Sequence, residues 1–139
     1  MNYPRIVLAG LGATGVYFVL GFLLFALSPL ANEYRQFPAV YRTPDSMKRV
    51  APLGMVGMLL SMVALAALYA LAWRGGAPIA QGARFGLLVG VFALGSFVLH
   101  NYVNLNIGLR LTVGQAVAYF IQWVVAGIII ALIYQPVLR

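Results

Sequence analysis

Four apolar runs, approximately Ile6–Leu27, Ala51–Trp73, Ala83–Val103 and Val113–Tyr134, take up most of this 139-residue chain. Each is about 20 residues long, the helical length that crosses a hydrocarbon core of about 30 Å. In lipid every backbone N–H and C=O must find its partner within the protein, so a span is either a helix or part of a closed barrel. A barrel needs alternating polarity and more strands than this chain supplies. The expected fold is therefore all-α: an integral-membrane antiparallel four-helix transmembrane bundle, with residues 1–139 as one domain. An even number of spans puts both termini on one side. Composition agrees, with 63% hydrophobic and 8% charged residues against about 25% charged in a soluble domain.

The formal net charge of +7 comes from nine basic residues against Glu33 and Asp45. The basic residues lie in connections and at helix ends, where they meet lipid headgroups. A lipid bilayer and other membrane chains, or a second copy, are thus the expected partners; nucleic acid is not. The terminal side carries Arg5, Arg74, Arg84 and Arg139, and the opposite side Arg35, Arg42, Lys48, Arg49 and Arg110. That near tie is read with the termini in the cytoplasm of a bacterial inner membrane. The first run is longer than the 7–15 residues of a signal-peptide core and reads as a retained span.

Small residues let helices approach closely in lipid. Gly10, Thr14, Tyr17, Gly21 and Ser28 share one face of the first helix at 100° per residue, and Gly54, Gly57, Ser61, Leu65 and Ala72 share one of the second. Gly10-Leu-Gly12-Ala-Thr-Gly15 matches the dinucleotide pattern GxGxxG, but no strand precedes it and no acid follows about 20 residues on. Met55, Met58 and Met62 beside the second face read as flexible core filling, since soft-metal sites usually add Cys or His. Thr43-Pro44-Asp45 is a helix start with a Thr cap, Pro52 is expected to kink the helix that follows, and Gly75-Gly76 with Pro78 marks a turn. Tyr34, Phe37 and Tyr41 in the first loop, and Tyr69 and Trp73 at the end of the second helix, read as interfacial anchors.

The third run ends in the chain's only histidine, His100, among Asn101, Asn104 and Asn106. On an ideal helix Gly82, Gly86, Gly90, Ala93, Phe97, His100 and Asn104 fall within about 80° of arc. Because glycine stripes face other helices, His100 and Asn104 are expected to point inward. Thr112-Val-Gly-Gln115 fits a capping box. Antiparallel pairing about a turn near Gly108 would bring Gln115 level with His100 and set Gln122 opposite Ala93 and Leu94. The candidate polar cluster is thus His100, Asn101, Asn104, Gln115 and Gln122; Trp123, near mid-membrane, needs a packing or ligand contact.

Gly82-Ala-Arg-Phe-Gly-Leu-Leu-Val-Gly90 and Asn101-Tyr-Val-Asn-Leu-Asn-Ile-Gly108 resemble small bacterial four-helix integral membrane proteins with no assigned function. The resemblance implies the architecture and brings no activity.

Polar residues at bilayer depth are functional candidates by default. Interhelical amide hydrogen bonds also serve structure, at about 0.6 kcal/mol each on average. No cysteine is present and both acids lie in the first loop, so thiol chemistry and a serine–histidine–acid site within the membrane are not expected. No metal site is expected either. The leading expectation is a non-enzymatic accessory protein that acts through helix packing, as a homo-oligomer or a subunit of a larger complex. Two alternatives stand beside it: a minimal channel or transporter lined by the His/Asn/Gln cluster, and a haem- or quinone-binding subunit using His100.

Overall fold

A computed structural model describes residues 1–135. Arg139, one of the four basic residues assigned to the terminal side, lies outside that range. The described residues are helical, without strands. We label the helices α1 (Tyr3–Ala26), α2 (Leu30–Arg35), α3 (Pro44–Ala72), α4 (Pro78–Asn104) and α5 (Leu109–Tyr134). All but α2 are long and apolar enough to cross a membrane.

Local chemistry sets the helix starts. The Asn2 side chain caps α1 by accepting from the Arg5 N–H at 3.2 Å. The Thr43 hydroxyl caps α3 by accepting from the Ser46 N–H at 3.3 Å, with Pro44 in the first turn as expected. Pro52 sits inside the helix Pro44–Ala72. Gly75 and Gly76 turn the chain with φ of 87° and 107°, values that favour glycine. Pro78 then opens α4 rather than belonging to the turn, because its fixed φ suits a first helical turn. Helix α5 starts at Leu109, earlier than the capping-box reading. The Thr112 hydroxyl donates back to the Gly108 carbonyl at 3.1 Å, and Gln115 turns sideways instead of capping.

Helix α5 is the centre of the packing. It lies most extensively against α4 and next against α1, while α1 in turn packs on α3. At the α4–α5 seam the glycines carry the contact. A Cβ at Gly82 would lie 2.6 Å from the Gly127 carbonyl oxygen, one at Gly86 2.7 Å from the Trp123 carbonyl oxygen, and one at Gly90 2.9 Å from the Phe120 ring. As residue numbers rise along α4 they fall along α5. Gly10 meets α3 similarly: a Cβ there would lie 2.6 Å from the Val63 side chain and 2.8 Å from its Cα. The main core joins Ile6, Ala9 and Ala13 to Met62, Ala66 and Tyr69, and to Ala126, Ile130 and Tyr134 on α5.

Two expected assignments on α3 are displaced. Gly54 and Gly57 are exposed, with open space where a Cβ would go. Helix α3 instead buries Met62, Ala66 and Tyr69. The α1–α3 seam is closed by Ala9, Gly10 and Ala13 against Met62, Val63 and Ala66, further along α3 than Gly54 and Gly57. Tyr69 is accordingly a core residue rather than an interfacial anchor, with its ring edge-on to Phe85 and Tyr134.

Helices α3 and α4 are consecutive, yet they make little contact beyond the Tyr69–Phe85 ring pair near their connecting turn. Away from that turn they leave an opening, and this opening forms the candidate site.

Candidate functional site

The polar cluster expected around His100 is not assembled. Residues 94–99 of α4 form π-helical turns. A π turn bonds residue i to i+5, so it shifts everything beyond it by one position around the axis. The buried stripe runs through Gly82, Gly86, Gly90 and Ala93 as expected, and then reaches Val98 rather than Phe97. Phe97, His100 and Asn104 are therefore exposed and Asn101 is half-buried. Asn104 donates to the His100 carbonyl at 2.8 Å, a local contact within the helix end. The α4–α5 register, continued from Gly90 and Phe120, also sets Gln115 level with the π-helical segment and not with His100. His100, on which the haem and quinone alternatives rest, is exposed.

The two glutamines are both buried, but each meets a different partner. Gln115, 4% exposed, donates from Nε2 to the phenol oxygens of Tyr34 at 2.8 Å and Tyr41 at 3.2 Å. Helix α2 makes this possible. Leu30 packs over Gly114, Phe37 lies over Gly108, and Glu33 pairs with Arg110 at 3.2 Å. Tyr34 and Tyr41 thus close over Gln115 and are not free anchors. Burial raises the Tyr34 phenol well above its ordinary pKa; Tyr119 and Tyr41 add to the shift and the Gln115 bond opposes it, so Tyr34 stays neutral.

Gln122 is 1% exposed and donates from Nε2 to the Tyr17 backbone carbonyl at 2.9 Å. It reaches α1, not the Ala93–Leu94 segment of α4. Gly21 makes room for it, since a Cβ there would lie 3.0 Å from Nε2. A carbonyl can only accept, so the amide nitrogen must face it and Oε1 is left over. That oxygen is buried and meets no donor among the described residues.

Gln122 lies in the wall of a cleft of about 690 Å³ between α1, α3, α4 and α5. Its rim is apolar, with Met58 and Leu65 from α3 and Val89 and Phe92 from α4. Its inner wall is aromatic. Tyr17 and Trp123 pack at 5.1 Å between ring centroids, Phe25 and Tyr119 at 4.9 Å, and Phe97 and Tyr119 at 5.3 Å. Trp123 thus has both a packing contact and a place on the cleft. His100, Asn101, Asn104 and Gln115 do not line it.

No protein-family model, curated protein or solved structure matches this chain.

Proposed function

We propose that this chain is a multi-pass inner-membrane protein, an antiparallel transmembrane bundle that works as a non-catalytic accessory component by packing against a second membrane chain. Apolar length supports the membrane placement, because the four long helices each present an apolar stretch that a bilayer accommodates and water does not. Opposed numbering along the α4–α5 glycine seam supports the antiparallel arrangement.

One observation carries the accessory reading. Residues 47–57 of α3 are exposed on every side, though most of them are apolar. Leu53 is 77% exposed, and Gly54 and Gly57 stand in open space on a face suited to close helix approach. Lipid can cover such a face, but a second helix gains van der Waals contact that glycine permits and larger residues prevent. The partner is a transmembrane helix of another chain or of a second copy.

The absence of cysteine from the chain makes the test direct, because no native thiol competes. Gly57→Cys in native membranes, treated with a mild oxidant or a short bifunctional thiol or thiol–amine cross-linker, should give one discrete larger adduct. Adding Gly54→Leu should reduce it. A protein that stays entirely monomeric under these conditions would end the accessory reading.

A further inference from the structure

We infer that the π-helical segment of α4 is a register switch: the end of the helix alternates between the present form, with Val98 buried, and an unbroken α-helix that turns Phe97, His100 and Asn104 inward. This goes beyond the accessory reading and does not rest on it.

Two competing faces are written into the same stretch. Continued from Gly82, Gly86 and Gly90 through Ala93, an unbroken helix presents Phe97, His100 and Asn104 to α5. The π turn of residues 94–99 shifts the face by one position and presents Val98 instead. The terms that separate the two forms oppose each other. The present form buries an apolar side chain and keeps His100 and Asn104 exposed, but it uses the rarer backbone. The unbroken form has the common backbone and buries the larger Phe97, while bringing polar groups inward.

Little holds this end of α4 in place. Between residues 94 and 104 Val98 is the one buried side chain, with Leu94 and Asn101 half-buried. Gly95 stands in open space, so no side chain is swept through a neighbour there as the backbone turns. The Ser96 hydroxyl donates to the Phe92 carbonyl at 2.7 Å and gives that carbonyl a donor beside the backbone. Tyr119 does not oppose the change either. It packs with Phe97 at 5.3 Å between ring centroids and with Phe25 at 4.9 Å, so it keeps a ring partner when Phe97 leaves. Phe25 itself stands on a second π-helical segment, Phe22–Ala26 of α1. Segments with so few buried contacts open at the low end of a protein's stability, and helix register shifts run on the microsecond to millisecond scale. Phe97 is part of the cleft wall, so the switch changes the shape of the cleft.

The test uses the full cysteine-free chain with spin labels at Val103→Cys and Leu60→Cys, 81% and 65% exposed, in lipid nanodiscs at one copy per disc. The switch turns Val103 through about 100° around the α4 axis. Pulsed electron–electron resonance should therefore resolve a second discrete distance. Val98→Ser should raise its share relative to the first about tenfold, the change expected when one form loses a buried apolar side chain. Adding Phe97→Ser to Val98→Ser should remove it. Deleting Gly95 should also leave one distance, because it takes out the extra residue of the π turn and fixes the present face in a plain α-helix. The Phe97→Ser arm keeps the test decisive should the deletion fail to fold. One distance in both the parent and Val98→Ser would overturn the proposal. So would a broad, featureless distribution, which marks an unravelled helix end, or a second distance that survives Phe97→Ser.

Discussion

Gly82 and Gly127 touch through their backbones: a Cβ on either would lie 2.6 Å from the other's carbonyl oxygen. The contact is reciprocal, so neither residue can be enlarged without parting α4 from α5. At Gly86 the obstruction is also backbone, the Trp123 carbonyl and the Val124 Cα, both at 2.7 Å. Gly86→Ala should therefore destabilise the protein by about 1–3 kcal/mol, the usual cost of overpacking, and Gly86→Leu by more. Gly54→Ala, in open space, should be neutral or slightly stabilising because alanine is the better helix former. Denaturation in mixed detergent micelles would measure the contrast, and equal effects at the two positions would contradict the seam.

The π-helical segment makes an opposite pair of expectations for α4. His100→Leu should change stability by less than about 0.5 kcal/mol, as at an exposed site. Val98→Ala, at a side chain only 1% exposed, should cost on the order of 1–2 kcal/mol through lost packing. A large loss at His100 with none at Val98 would restore the unshifted helical face.

Removing the phenol oxygens over Gln115 tests the α2 cover. Tyr34→Phe deletes the 2.8 Å bond and Tyr41→Phe the 3.2 Å bond. Each should cost about 0.5–1.5 kcal/mol, and the double variant should cost more than either because the amide then has neither acceptor. Trypsin cleavage after Arg35 should accelerate in the same order as α2 loosens. Unchanged cleavage in the double variant would mean that α2 is held by Leu30 and Phe37 alone.

Topology can be read by thiol labelling in a chain without native cysteines. With the termini in the cytoplasm, Asn106→Cys should react with a membrane-impermeant maleimide added to spheroplasts, and Ala77→Cys only after lysis. The reverse pattern would invert the orientation, and labelling of both in intact spheroplasts would indicate dual topology, a consequence open to a chain with nearly balanced basic residues.

How much of this was legible in the sequence depends on the range of the interaction concerned. The four long helices were legible because hydropathy sums over about 20 residues and a single misread position hardly alters it. The Thr43 cap and the Gly75–Gly76 turn were legible because their chemistry lies within a few residues. The stripe Gly82, Gly86 and Gly90 was legible because regular spacing puts three small residues on one face of an unbroken helix. Tertiary structure decided the rest. One π-helical segment moves the buried face from Phe97 to Val98 and carries His100 outward, since every later position inherits the rotation. Helix α3 had two candidate faces, and the fit of Met62 and Ala66 against α1 chose between them. Gln115 found Tyr34 and Tyr41 across a loop, and Gln122 found the Tyr17 carbonyl on another helix. The cleft belongs to no segment at all: it exists because α3 and α4 both pack elsewhere and leave the space between them unfilled.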